Sequence, residues 1–201
     1  MKRFVVGVGI LWASLSGVAI GAASIGKMAP SFELKGADGK PHNLKEYLGQ
    51  GKTVVLEWWN YKCPFVKKHY ESNNMQKLQK KYAANVVWLT INSSAKNKQG
   101  HVSGNEAKKL LADMGAKPTE VLLDHNGKVG RLYAAKTTPH MYIINPEGML
   151  IYKGAIDSNS SANKADIPAS TNYVDQALDS HLKGKPIKVA TSKPYGCSVK
   201  Y

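Results

Sequence analysis

Thr53-Val54-Val55-Leu56-Glu57-Trp58-Trp59, then Asn60-Tyr61-Lys62, then Cys63-Pro64 is the stretch on which the fold turns. A short apolar run rich in β-branched and aromatic residues reads as a buried strand. The next three residues turn the chain, and Pro64 suits the first position of a helix. From Pro64 to Ala84, Val66, Tyr70, Leu78 and Tyr82 recur at multiples of four and form one apolar helix face, with Ser72-Asn73-Asn74 positioned to kink or break it. Cys63 is thereby placed at a helix N-terminus. Unpaired backbone N–H groups and the positive end of the dipole there favour thiolate over thiol, and Lys62 and Lys67 add positive charge nearby.

Working outward, Ser31–Lys35 and Pro41–Leu44 flank Asp38-Gly39 and predict a hairpin. Val86–Ile91 is a second buried strand. Ser103 and Glu106 have the spacing of a capping box opening a helix to Met114, and Glu120–Leu123 is a third strand. Gly127–Ala135 reads as a short helix or turn. His140–Asn145 and Leu150–Lys153 flank Pro146-Glu147-Gly148 as a second hairpin. Residues 157–170 form a Ser/Asn/Ala-rich surface insertion, Asn172–Leu182 a last helix, and 184–201 a polar, flexible tail carrying Cys197. Two β-α-β crossovers imply an α/β domain with parallel central strands and helices on both faces. Cys63 then lies just beyond a strand's carboxyl end, where such sheets place their sites.

Lys2 and Arg3 followed by the uncharged stretch Phe4–Ala23, ending in small residues, have the pattern of a signal peptide cut after Ala23, with an uncleaved anchor as the alternative. The expected organisation is therefore a leader (1–23), one domain (24–183) and the tail (184–201), exported to the periplasm or secreted, with no stable membrane insertion after cleavage. Losing Lys2 and Arg3, with no acids in that segment, takes the formal charge from +14 to +12. The excess is almost wholly lysine spread along the chain. Arg131 is the only arginine left, so the pattern is that of a solvated surface and not of nucleic-acid readout. Cys63 and Cys197 are the only cysteines, equally compatible at this level with a structural disulfide and with an attacking and a resolving thiol. His140 reads as a structural histidine, and His69 points away from the Cys63 face. One cysteine with scattered histidines makes a poor metal site.

Met28-Ala29-Pro30-Ser31-Phe32-Glu33-Leu34, the strand ending in Trp58-Trp59, Cys63-Pro64, and Thr137-Thr138-Pro139 together resemble the thioredoxin superfamily, in particular its peroxiredoxin-like alkyl hydroperoxide reductase and thiol-specific antioxidant branch. The resemblance covers the whole exported domain. It implies a thioredoxin-like fold: a central mixed β-sheet flanked by helices, with an N-terminal β-hairpin and a C-terminal tail. It also implies a cis-proline at Pro139 whose loop faces the reactive cysteine and exposes the Thr138 backbone to a bound peptide or disulfide.

Two departures stand out. Val66 replaces the second cysteine of a Cys-x-x-Cys pair. Leu56 and Asn60 stand where typical peroxiredoxins have the Pro and Thr of their peroxide-binding motif, and Arg131 has no match to the family's arginine.

The resemblance implies an exported thiol oxidoreductase with antioxidant, peroxide-reducing activity. Cys63 would be the nucleophile and Cys197 the resolving thiol, in the same chain or across a homodimer. Asn60, Lys62, Pro64, Thr138 and Pro139 would tune the thiol or shape the wall opposite it. A thioredoxin-type thiol would be the external electron donor, and no cofactor is required because sulfur carries the electrons. The alternatives are a protein-disulfide reductase or isomerase, and a non-catalytic binding domain on the same fold.

Overall fold

The computed structural model describes residues 22–201. In chain order the elements are β1 (Glu33–Gly36), β2 (Pro41–Asn43), α1 (Leu44–Leu48), β3 (Thr53–Trp58), α2 (Pro64–Glu71), α3 (Asn74–Tyr82) and β4 (Val86–Asn92). Then come α4 (Gly104–Asp113), β5 (Glu120–Leu123), α5 (Lys128–Leu132), β6 (Thr137–Thr138), β7 (His140–Ile144) and β8 (Leu150–Gly154). A 3-10 helix (Lys164–Ala169), α6 (Tyr173–Leu182) and β9 (Cys197–Ser198) complete the chain.

Seven strands form one sheet in the order β2-β1-β5-β4-β3-β7-β8. β3–β4 and β4–β5 are parallel, as the two crossovers require; β3–β7, β7–β8, β1–β2 and β1–β5 are antiparallel. β3 and β4 are buried at every position because helices cover both faces. Successive side chains alternate between those faces. Val55, Trp59, Trp88 and Ile143 pack against α2, α3, α4 and α6 through Val66, Tyr70, Leu78, Leu111 and Val174. Val54, Leu56, Trp58, Leu89 and Tyr142 pack against α1 and α5 through Leu44, Tyr47 and Val129. This is the thioredoxin-like α/β architecture that the sequence implies.

Local chemistry sets the boundaries that position the site. The helix after Cys63 is two helices: Asn73 adopts a left-handed conformation (φ 58°) and Gln76 Nε2 donates to the Tyr70 carbonyl at 2.9 Å, ending α2 and restarting the chain as α3. The capping box opens α4, with Ser103 and Glu106 bonded reciprocally.

The tail departs from expectation. It is not a free flexible segment: Thr137↔Ser198 and Thr138↔Cys197 pair antiparallel as a second, two-stranded sheet. Of the expected leader, Met1–Gly21 lies outside the described residues. Ala23 is buried and its carbonyl accepts from the Lys153 ammonium at 2.9 Å. Among the described residues no helix is long and apolar enough to cross a membrane.

Candidate active site

Cys63 caps α2 with Pro64 at the first helical position, and the turn before it is closed by Cys63 N–H donating to the Asn60 carbonyl at 3.0 Å. The expected location is therefore observed. The surroundings of the sulfur differ from expectation in two ways. Sγ makes no cap hydrogen bond with the amides of the helix start; it donates to the Thr138 carbonyl at 2.9 Å. The side chain is also wholly buried (0% exposed), and the tail pairs with the same Thr138 backbone that the thiol meets. The Thr138–Pro139 bond is cis, and this loop forms the wall opposite Cys63.

Cys197 sits directly across from Thr138 in the β6–β9 pair. One residue's backbone thus receives the Cys63 thiol and also aligns Cys197. Burial first, and then the neighbouring Cys63 sulfur, push the Cys197 thiol up to about 11. Both cysteines are free thiols.

Two sequence-predicted residues, Lys62 and Asn60, take other roles. Lys62 is exposed, with its ammonium 5.6 Å from the Tyr61 ring centroid and not over the sulfur. Asn60 is buried and spent on shaping the loop: Oδ1 accepts from Lys62 N–H at 2.9 Å and Nδ2 donates to the Gln99 carbonyl at 3.1 Å, leaving it bound in the turn and not offered to a ligand. Arg131, without a match to the family's arginine in the sequence, donates to the Asn126 carbonyl and stacks on Tyr201, away from the site. Thr138 keeps a buried hydroxyl with no hydrogen-bond partner among the described residues. His140 is buried beside Pro139, accepts from Lys136 N–H at 3.3 Å, and is held neutral, lowered to about 3 by burial and then by Lys153 and Lys136.

Sequence reasoning missed a polar cluster behind the tail. Lys68 has a wholly buried side chain with its ammonium 3.2 Å from Asp157 Oδ2, a charge contact without hydrogen-bond alignment, and it donates to the Asn159 carbonyl at 2.7 Å. Tyr195, two residues before Cys197, places its hydroxyl in this cluster. It donates to Asp157 and lies 3.0 Å from His69 Nε2 and 3.3 Å from Lys68 Nζ.

Asn74 Nδ2 lies 2.8 Å from His69 Nδ1 and acts as its donor, which leaves Nε2–H to donate to Tyr195. Burial, with Lys68 adding to it and Asp157 opposing, lowers His69 to about 4. His69, set aside on helical phase, therefore belongs to the assembly.

A second buried acid, Glu57, lies beneath this face of the sheet. Burial raises it to about 7, although Trp88 Nε1 (2.8 Å), Tyr70 (2.7 Å) and Thr90 donate to it. A glutamate inside a strand that is otherwise apolar was the available signal for it.

A fold of this kind, with a cap cysteine facing a cis-proline loop, defines a thioredoxin-fold thiol protein. The AhpC/TSA family model matches residues 25–153, and the chain belongs to that family. It is similar to the thioredoxin-like protein YneN of Bacillus subtilis (strain 168), 28% identical over 145 residues, covering 71% of this chain and 79% of the relative. It is also similar to the thiol-disulfide oxidoreductase ResA of Geobacillus thermodenitrificans (strain NG80-2), 26% identical over 129 residues, covering 58% of this chain and 73% of the relative. An uncharacterized conserved protein from Geobacillus kaustophilus has a similar crystal structure, with a TM-score of 0.72, 28% identity, and coverage of 89% and 92% of the two chains.

Proposed function

We propose that this protein is an exported thiol-disulfide oxidoreductase whose redox couple is Cys63 with Cys197 of the same chain. The observation that carries the reading is the pairing of Cys197 with Thr138, whose carbonyl also takes the Cys63 thiol. The tail supplies from a distance the second sulfur that Val66 fails to supply at the helix.

Cys63 thiolate attacks one sulfur of a substrate disulfide, forming a mixed disulfide and releasing the other sulfur as a thiolate that takes a proton. Cys197 loses its proton and attacks the Cys63 sulfur, expelling the second substrate sulfur. Two electrons have passed to the substrate, now a pair of thiols, and the enzyme holds a Cys63–Cys197 disulfide. An external low-potential dithiol of the thioredoxin type returns the two electrons by the same exchange.

The raised Cys197 thiol fits this order. The part of that rise contributed by the Cys63 sulfur lapses once Cys63 is in a mixed disulfide. Cys197 is thus easier to ionise when there is something to resolve.

Peroxide is the second reading, favoured by family membership and by a Cys63 so enclosed that a small oxidant reaches it more readily than a protein does. Cys63 thiolate would take one peroxide oxygen as sulfenate with release of the alcohol or water. Cys197 would then condense with the sulfenic acid, releasing water.

Reduced protein mixed in turn with a disulfide-bonded protein and with one equivalent of hydrogen peroxide separates the readings. Substrate thiols released with loss of two hydrogens from a monomer support exchange. Reaction only with peroxide supports the second reading. Reaction with neither overturns both.

A further inference from the structure

We propose that residues 194–201 are a latched strap that closes the Cys63 site against protein-sized reagents, with Tyr195 as its latch in the pocket of Lys68, His69 and Asp157. The proposal rests on Cys63 being the reactive thiol, but its test does not depend on any turnover.

The strap is held to the body by edge contacts. Besides the β6–β9 pairing, Val199 N–H donates to the Lys136 carbonyl (3.1 Å) and Ala95 N–H to the Lys200 carbonyl (2.8 Å). At the far end the Tyr201 hydroxyl donates to the Ala135 carbonyl at 2.8 Å, with the Arg131 guanidinium 4.5 Å over its ring. None of residues 194–201 is fully buried; only Cys197 and Val199 pack partly against the core, and the segment is held mainly by polar contacts and strand pairing. Segments with few buried apolar contacts open without global unfolding.

The body is shaped to receive it. Gly196 has φ +137°, a region L side chains rarely enter, and a Cβ there would collide with the Thr138 carbonyl. Only glycine lets the strap lie this close to the wall.

Tyr195 is the most specific contact. Its hydroxyl takes hydrogen bonds from His69 and Lys68 and gives one to Asp157, its ring packs edge-on to Phe65, and Phe65 lies two residues after Cys63. When the tyrosine leaves, Lys68 keeps both Asp157 and the Asn159 carbonyl, so the cluster survives release and the latch is reversible. Opening bares the Thr137–Thr138 edge and the Cys63 sulfur together.

Two measurements test this. The first is hydrogen exchange of the unmodified reduced protein. The Val199 and Ala95 amides are expected to exchange at least a hundredfold faster than those of Leu56 in β3 and Leu89 in β4, through partial opening. Exchange of all four at the same rate overturns the proposal.

The second is labelling of Cys63 by a polyethylene-glycol maleimide in a Cys197→Ser background, with and without Tyr195→Phe or Gly196→Ala. Each release variant is expected to speed labelling at least tenfold. Rates within twofold of the parent in folded variants overturn the proposal, and should neither variant fold, the exchange result on the unmodified chain decides. A labelling response without any disulfide exchange would refute the redox couple and leave the strap standing.

Discussion

Replacing Lys68 by methionine tests whether the cluster behind the tail is a working part of the fold. The substitution keeps an unbranched apolar stem, one atom shorter, and removes the charge and its donors. Lys68 is wholly buried and Asp157 almost so, with 3.2 Å between the charges. Breaking such a pair by removing one partner strands the other charge and costs about 3–5 kcal/mol. Asp157 would retain the Tyr195 hydroxyl and the Asn159 N–H (3.1 Å), which places the expected loss near the lower end, about 3 kcal/mol.

Against a total stability of roughly 5–15 kcal/mol, that is a large fraction. It corresponds to a fall in Tm of about 6–12 °C for a domain of this size. Urea unfolding followed by tryptophan fluorescence reads it as a lower midpoint with unchanged slope. Asp157→Leu combined with Lys68→Met should recover much of the loss, because no lone charge remains. A single-variant loss below about 0.5 kcal/mol, the range of an exposed lysine, would refute the claim that this ammonium is a buried, paired charge.

Three further outcomes follow from the same geometry. Glu57 is raised to about 7 in the fold, so between its ordinary value and pH 7 the folded state binds more protons and stability falls as pH rises, by up to about 3 kcal/mol. His69, lowered to about 4, acts oppositely: its contribution is intact above pH 6.5 and is lost as pH falls toward 4. Glu57→Gln should remove the Glu57-linked fall in stability between about pH 4.5 and 7, and an unchanged slope in that window would show that the carboxyl is not protonated in the fold. Closure of the Cys63–Cys197 bridge from a mixed disulfide should quicken nearly tenfold per pH unit above neutrality, toward a plateau no higher than about 11; a profile already flat at pH 8 would contradict a suppressed Cys197. Gly130→Ala would press a methyl against the Tyr201 ring while adding roughly 1 kcal/mol of helix propensity to α5. The expected result is faster exchange in the strap without loss of midpoint stability in the body.

Much of the fold was legible because burial imposes periodicity. β3 and β4 read as apolar runs, the capping box marked α4, and Pro64 fixed the start of α2, which put Cys63 at its cap. The strap was not legible. Two-residue strands carry no pattern, and Cys197 pairs with a residue far away in the chain through backbone groups that every residue possesses.

Lys68 was hidden by its type. A lysine in a lysine-rich helix reads as solvated, and its partner Asp157 is 89 residues away in a stretch whose composition suggested only a surface loop. Lys62 and Asn60 erred in the other direction. Lys62 stands next to Cys63 in sequence and Asn60 at a motif position, but the turn geometry sends the lysine outward and consumes the asparagine in the loop.

The most direct measurement is the mass and linkage map of the full chain after one equivalent of oxidant, resolved under non-reducing conditions. The expected product is a monomer lighter by two hydrogens, with the peptides containing Cys63 and Cys197 joined to each other. A Cys63-linked dimer, or Cys63 oxidised alone to sulfinate while Cys197 stays free, would contradict the pairing of these two sulfurs as one redox couple.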